Sequence, residues 1–206
     1  MLATAVLLAP LAPQAAGAAT TMGAQSLAGT PVTGAACPGA AKTCTTVLTG
    51  ARAPVSGVVT GWRIRALAGQ QQLTLLAARA SGSTWRAAAV DATPQTIAGG
   101  AIESFSARLP VTAGDALALE ASSIPSARDP LAGGPLAVFS EALGSLPRAP
   151  DTTLDGGLLV QADVEPDADG DGFGDETQDA CPAEPARQVG PCAAAAVSVA
   201  TVVAPQ

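Results

Sequence analysis

The feature that most constrains the fold is a period-2 alternation of apolar and polar residues, repeated in short runs between about residues 45 and 165. Each run is bounded by Gly, Pro, Ser or Asp, the residues that favour turns. Successive side chains of a β-strand point to opposite faces, so each run directs its apolar residues to one side of a sheet. The 22 Gly and 17 Pro of the chain also suit many short strands rather than a helical bundle.

Two runs show this alternation most clearly. Residues 58–66 place Trp62 on the apolar side, where we expect it to pack in a core. Residues 105–111 alternate in the same way and lead into the turn residues Ala-Gly-Asp at 113–115. Residues 117–121 alternate again after this turn, so we expect a hairpin between the two runs.

Weaker runs complete the prediction, and they cover residues 73–80, 84–90, 135–140 and 158–164. About seven short strands at this spacing are typical of an antiparallel sandwich or jelly roll. We therefore predict an all-β, jelly-roll-like antiparallel β-sandwich over residues 45–165. A surface aromatic can bind sugar, and Trp85, which follows a Gly-Ser turn, is the one candidate for such a platform at a sheet edge.

The negative charge of the chain is concentrated in one segment. Residues 163–179 hold eight acidic residues and no basic one, whereas the other nine acids face ten Lys and Arg. Nucleic-acid binding requires clustered Lys and Arg, which the remainder of the chain does not offer. The excess negative charge is therefore confined to this segment, and we expect no nucleic-acid partner.

Within this segment, acids recur at every second residue. The sequence reads DADGDGFGDETQDACP over residues 167–182. Calcium takes six to eight oxygen ligands, and carboxylates at this spacing in a tightly curled loop can all point inward. Gly172 would permit the sharp turn. We expect one Ca²⁺ to be bound by Asp167, Asp169, Asp171 and Asp175, the carbonyl of Phe173, and a closing ligand, Asp179 or Gln178, with Asp179 favoured.

This motif resembles the thrombospondin type 3 calcium repeat, a relative of the EF-hand loop, over residues 167–182 alone. In that family the next acidic ligand comes three residues after the fourth aspartate, where this chain has Gln178, and Asp179 follows. The order of a β-rich region and such a loop is also similar to that of exported actinobacterial proteins. These resemblances imply calcium and an extracellular location rather than an activity.

The N-terminal end of the chain and its cysteines point to export, and its C-terminal end does not predict a membrane span. Residues 1–19 are apolar and end in small residues that signal peptidase accepts, so we predict a signal peptide there. Four cysteines in an exported chain suggest two bridges, and we expect the local pairs Cys37–Cys44 and Cys181–Cys192. The apolar tail at 193–206 is too short to span a bilayer, which needs about 20 residues.

The sequence says little about activity. The chain has no histidine, which removes the usual catalytic triads and the commonest general base. Asp115 and Glu120 are best explained as turn and solvent-face residues, so we expect no catalytic residue. The favoured hypothesis is a secreted or cell-surface, non-enzymatic module with a protein or glycan partner, and the alternative is a hydrolase fragment or carbohydrate-binding accessory domain.

These predictions divide the chain into five parts: a signal peptide at 1–19, an N-terminal segment with a local disulfide at 20–44, the β-sandwich at 45–165, the calcium loop and second disulfide at 166–192, and the apolar tail at 193–206.

Overall fold

The computed structural model describes residues 18–131 and 134–193. Regular structure in these residues is β-strand, apart from a single 3-10 turn at Pro38–Ala40. The strands are β1 (Thr20–Gly23), β2 (Cys44–Arg52), β3 (Gly57–Arg65), β4 (Gln71–Ser81), β5 (Thr84–Val90), β6 (Gln95–Ile97), β7 (Ile102–Val111), β8 (Ala116–Ala121), β9 (Arg128–Asp129), β10 (Leu136–Ser140), β11 (Thr152–Leu154), β12 (Gly157–Leu158) and β13 (Val160–Glu165).

Two antiparallel sheets pack together as a β-sandwich, which confirms the predicted fold class. The smaller sheet has the strand order β1-β13-β3-β7. The larger sheet has the order β11-β10-β2-β8-β4-β5, and β6 pairs with β4. Strands β9 and β12 form a separate short ribbon. Sequence neighbours are often separated in the sheets, so the sandwich depends on contacts between distant parts of the chain.

The main core lies between the two sheets, where the alternating residues meet. Trp62 and Leu109 of the smaller sheet and Leu117 of the larger sheet are fully buried in it. The ring of Trp62 packs on half-buried Phe105 with 4.8 Å between the ring centroids. The prediction that Trp62 is a core residue is confirmed.

The larger sheet is also buried on its second face. Residues such as Ala118 and Phe139 form a second apolar cluster there with Leu143, which belongs to the loop at 141–151. That loop follows β10 and reaches the far edge of the sheet, where the N–H of Ala87 donates to the carbonyl of Gly144 at 2.8 Å. A strand buried on both faces reads as a continuous apolar run, which is why the alternation weakens in β8 and β10.

This second cluster overturns the candidate role of Trp85. The Trp85 side chain is 6% exposed and belongs to the cluster. The guanidinium of Arg52 lies 4.9 Å from the centroid of the Trp85 ring. The backbone N–H of Trp85 donates to the Arg148 carbonyl at 2.8 Å. Trp85 stands at a sheet edge as expected, but the loop at 141–151 covers it, so it offers no platform to a sugar.

The predicted hairpin between β7 and β8 is wrong. β7 pairs with β3 in the smaller sheet, whereas β8 pairs with β2 and β4 in the larger one. The turn between them is held by the end of β2, since the N–H of Gly114 donates to the Ala53 carbonyl and the N–H of Ala53 donates to the Asp115 carbonyl, each at 2.8 Å. These bonds carry the chain across the sandwich instead of back along β7.

The segment before residue 45 takes part in the sandwich. β1 pairs with β13 and forms the edge of the smaller sheet. Both disulfides join the predicted partners, Cys37 with Cys44 and Cys181 with Cys192, with Cα–Cα distances of 5.4 and 5.3 Å. Almost all of the predicted signal peptide and tail lies outside the described residues. Within the described ranges, no helix has the length and apolar character to cross a membrane.

Candidate metal centre

The acidic loop begins where β13 ends and curls back on itself. Gly170 and Gly172 have φ values of +78° and +86°, which side chains other than glycine rarely adopt. The prediction that Gly172 supplies a sharp turn is therefore confirmed, and Gly170 supplies a second one. Two left-handed residues so close together bring alternate aspartates to the same side of the loop.

Three of the predicted ligands lie together. Asp167, Asp169 and Asp171 each offer a carboxylate oxygen, and these oxygens lie within 4.8 Å of one another. Backbone donors of the loop orient them: the N–H of Gly172 donates to Asp167 Oδ2 at 3.0 Å, and the N–H of Phe173 donates to Asp171 Oδ1 at 2.9 Å. This group can hold a metal ion.

Three carboxylate oxygens near this group have no hydrogen-bond donor. They are Oδ2 of Asp169, Asp175 and Asp179, and all three atoms are buried. The residues Asp175 and Asp179 are only 7% and 5% exposed. A buried polar atom without a partner costs about 1–3 kcal/mol, so an anionic oxygen in this state calls for a cation. The donor set therefore fits a hard metal ion.

Burial and mutual repulsion raise the pKa of two of these acids. Burial raises the pKa of the Asp169 carboxyl above its ordinary value, and repulsion from neighbouring carboxylates raises it further against the effect of a backbone N–H. The pKa of Asp175 is raised by the same causes, with burial the largest, and Asp179 is among the repelling charges. A bound cation would replace this repulsion with attraction.

The two candidates for the closing ligand have different surroundings. Gln178 faces the smaller sheet, because its Nε2 donates to the Ala107 carbonyl at 2.8 Å and its Oε1 accepts from the N–H of Gly174 at 3.3 Å. Asp179 accepts from the N–H of Cys181 through Oδ1 at 2.7 Å and leaves its buried Oδ2 without a donor. The amide of Gln178 is thus hydrogen-bonded at both its nitrogen and its oxygen, whereas Asp179 has a buried anionic oxygen without any donor, which favours Asp179 as the closing ligand.

The side chain of Phe173 anchors the loop. Its ring lies beneath the guanidinium of Arg108, which is 4.4 Å from the ring centroid. Arg108 belongs to β7, so this contact attaches the loop to the smaller sheet. That the Phe173 carbonyl serves as a metal ligand stays a prediction.

Glu165, the last residue of β13, joins the loop to the sandwich and was not singled out by the sequence. It is 2% exposed, and its oxygens accept from Thr60 Oγ1 at 2.9 Å and from Thr177 Oγ1 at 2.7 Å. The N–H groups of Glu176 and Thr177 also donate to it, at 3.0 and 2.9 Å. The only sequence signal for this role is its place between the last strand and the loop.

The segment after the loop returns to it through Gln188. The Nε2 of Gln188 lies 2.6 Å from Oδ2 of Asp171. The N–H of Ala180 donates to the carbonyl of Gln188 at 2.9 Å. Gln188 lies within the loop closed by Cys181 and Cys192, and no sequence motif marks it.

The acid pair Asp115 and Glu120 occupies two separate environments. Asp115 is 2% exposed and forms a bidentate ion pair with Arg79, at 2.7 Å from Nε and 2.8 Å from Nη2. Its interpretation as a turn residue is confirmed, since its carboxylate accepts from the N–H of Thr112 in the β7–β8 turn, but it is buried rather than on a solvent face. Glu120 is partly buried, and burial raises its pKa.

Comparison of the chain with protein-family models, with curated proteins and with solved structures finds no match. No family match therefore supports the resemblance of residues 167–182 to the thrombospondin type 3 repeat. What stands independently of that resemblance is the acidic group of Asp167, Asp169 and Asp171.

Proposed function

We propose that this chain is an exported, non-enzymatic structural or binding module whose acidic loop binds one calcium ion and thereby stabilises the end of the β-sandwich. The observation that carries the proposal is the convergence of buried carboxylate oxygens that have no donor. Asp175 and Asp179 each bury such an oxygen beside the group formed by Asp167, Asp169 and Asp171. Acids of a merely solvated linker would instead turn these oxygens to water.

The chemistry of the donors favours calcium over other cations. The donors are carboxylates, which suit hard ions, and the nearby Cys181 and Cys192 are joined in a disulfide and supply no thiolate. Magnesium demands a stricter octahedron at shorter distances than a flexible glycine-rich loop provides. The proposed ligands are the side chains of Asp167, Asp169, Asp171, Asp175 and Asp179 and the carbonyl of Phe173.

The stabilising role rests on how the loop is attached. Glu165 connects β13 with the turn at 174–179, while Phe173 and Gln178 contact β7. Ordering the loop therefore also orders its contacts with two strands of the smaller sheet. Ligand binding to the folded state alone stabilises that state by mass action.

Two observations support a non-enzymatic role. The chain contains no histidine, and Asp115, one of the acids outside the loop, is bound by Arg79. Both oxygens of Asp115 accept hydrogen bonds from Arg79, so the carboxylate is neither a free base nor a free nucleophile. A protein or glycan partner at the cell surface belongs to the proposal, although Trp85 takes no part in it.

Export is supported by the two disulfides, which persist in oxidising compartments. Signal-peptide cleavage after Ala18 would make Ala19 the first residue of the mature chain. The backbone nitrogen of Ala19 lies 2.6 Å from Oε1 of Glu176. A new ammonium group at this position would form an ion pair with Glu176, which lies between the proposed ligands Asp175 and Asp179.

The test is a calorimetric calcium titration of the full chain with both disulfides formed. We expect one site with a dissociation constant of about 10⁻⁴ to 10⁻³ M, as in extracellular modules. Asp169→Ala and Asp171→Ala should abolish saturable binding. Asp155→Ala, which removes an exposed acid outside the loop, is the matched control and should bind as the wild type does.

Absence of saturable binding below about 10 mM calcium would contradict the proposal. So would equal binding by the wild type and both loop variants. Turnover of a hydrolase substrate that is lost in Asp115→Asn or Glu120→Gln while calcium binding is retained would favour the alternative function.

A further inference from the structure

The loop closed by the second disulfide reaches into the proposed calcium site through a single side chain. Gln188 donates from Nε2 to Oδ2 of Asp171 at 2.6 Å. The other oxygen of Asp171 accepts from the N–H of Phe173 at 2.9 Å. Both oxygens of Asp171 are thus oriented, one by its own loop and one by a residue 17 positions further on.

These two hydrogen bonds fix the orientation of the Asp171 carboxylate and still leave its oxygens able to bind a cation. Each carboxylate oxygen has two lone pairs, so an oxygen that accepts from Gln188 still has one to give to a cation. Partners of this kind, which hold a ligand rather than touch the metal, contribute about 10- to 100-fold to metal affinity. Gln188 has the geometry of such a partner.

The disulfide is what keeps Gln188 in place. Residues 183–191 are exposed or half-buried, and Val189 is 80% exposed, so this segment has no apolar anchor of its own. Gln188 connects it back to the acidic loop, through the bond to Asp171 and through the backbone bond from the N–H of Ala180 to the Gln188 carbonyl. Closing the loop through Cys181–Cys192 reduces the conformational entropy that these contacts must overcome.

We propose that Gln188 is a positioning residue of the calcium site, held against Asp171 by the Cys181–Cys192 disulfide, so that calcium affinity depends on that disulfide. The proposal rests on the proposed calcium function. It assigns to the segment after the acidic loop a role in that site, and it makes the second disulfide part of the metal centre while the first is not.

The primary test compares Gln188→Ala with Val189→Ala by calcium titration of the full chain with both disulfides formed. Loss of the amide should weaken calcium binding about tenfold, whereas the exposed neighbour should leave it unchanged. Gln188→Ala should not change the melting temperature in chelator, because the residue is half-buried and contacts the loop rather than the core.

A second arm removes each disulfide in turn. Cys181→Ser/Cys192→Ser should weaken calcium binding at least as much as Gln188→Ala, and adding Gln188→Ala to it should have little further effect, because the two changes remove the same contact. Cys37→Ser/Cys44→Ser is the matched control and should retain the affinity of the wild type, since that pair packs against Ile124 and Val138 in another cluster.

A third experiment distinguishes a positioning role of Gln188 from direct ligation of the metal. Europium replaces calcium in the site, and its luminescence lifetimes in H₂O and D₂O give the number of water molecules bound to the ion. Gln188→Ala should leave that count unchanged, and one additional water would overturn the proposal by making Gln188 a ligand. Equal calcium affinity of Gln188→Ala and wild type would also overturn it, with the calcium function intact. A wild type that binds no calcium would overturn both proposals.

Discussion

The buried carboxylates of this protein fall into two groups, those with hydrogen-bond donors on both oxygens and those with one oxygen that has no donor. Asp115 has donors on both oxygens, from Arg79 and from the N–H of Thr112. Asp175 and Asp179 are buried to a similar degree, yet each keeps one oxygen without a donor. A fully bonded acid stabilises the fold by itself, whereas an acid with a free buried oxygen needs a cation to do so.

The ion pair of Asp115 makes a prediction about pH. Burial alone would raise the pKa of Asp115, but hydrogen bonds from Arg79 and Thr112 and the charges of Arg79 and Arg86 outweigh it and hold the pKa below its ordinary value. A lowered folded-state pKa contributes stability that is complete above the unfolded pKa of about 3.9 and is lost as pH falls through the folded value. The stability supplied by this pair should therefore persist from neutral pH down to about pH 4 and disappear below it.

Asp115→Asn should lower the free energy of unfolding by about 1.5–3 kcal/mol at pH 7, the usual contribution of hydrogen bonds to a charged group. The difference from wild type should shrink between about pH 4 and pH 2. Urea unfolding in the presence of chelator measures it, and the metal loop has the same sequence in both proteins. A difference that stays constant down to about pH 2 would contradict the argument.

At the scale of elements, the decisive junction is the one between β13 and the acidic loop. Glu165 ends the strand on its outer side and accepts hydrogen bonds from the turn that begins after Gly174. Gly174 has no positive φ, so it is not required for a turn. It is required for close packing, because an added Cβ would lie 2.5 Å from Oε2 of Glu165 and 2.5 Å from Cγ2 of Thr60.

Gly174→Ala should therefore separate calcium binding from sandwich stability. The added methyl group pushes the turn away from Glu165, and overpacking of this kind costs about 1–3 kcal/mol. In wild type, saturating calcium should raise the melting temperature by several degrees, since stabilisation of about 1 kcal/mol shifts it by about 2–4 °C in a chain of this size. In Gly174→Ala the calcium-induced rise in melting temperature should be largely lost, because the loop no longer contacts the sheet through Glu165.

Gly50→Ala is the matched control for this experiment. Gly50 lies in β2, and an added Cβ there would meet no atom within 4 Å. Differential scanning calorimetry with calcium and with chelator should give Gly50→Ala the wild-type rise in melting temperature. An equal rise in Gly174→Ala would mean that the loop does not stabilise the sandwich through this contact.

At the scale of the whole molecule, the two disulfides bracket the sandwich without linking its ends to each other. Each closes a short loop, with sequence separations of 7 and 11 residues. The first ties the N-terminal segment to the start of β2, and the second follows the acidic loop. Neither crosses the core, so the packing of the sheets and not the cross-links must hold the sandwich together.

The mature protein should begin near residue 19 and lack the four hydrogens that two disulfides remove. Cleavage after the small residues that end at Ala18 is the physical basis of this expectation. Intact-mass measurement of the exported chain before and after reduction checks both statements. Peptide mapping that joins Cys37 or Cys44 to Cys181 or Cys192 would contradict the pairing.

The sequence by itself determined the features that depend on neighbouring residues. Alternation identified the strands around Trp62 and Leu109, because side-chain direction in a strand follows from local geometry. The spacing of the aspartates from Asp167 to Asp171 identified the acidic loop, and short cysteine spacing identified both disulfides. In each case, a few consecutive residues carried the information.

Only the tertiary structure decided the features that join distant residues. The hairpin expected after β7 does not form because the turn bonds to Ala53, about 60 positions earlier in the chain. Trp85 is covered by a loop that follows another strand, and Glu165 meets Thr60 across 105 positions of sequence. A local sequence pattern predicts to which face of a sheet a side chain points, but not which distant residue packs against it. The free energy of these long-range contacts is gained only when the sheets have packed.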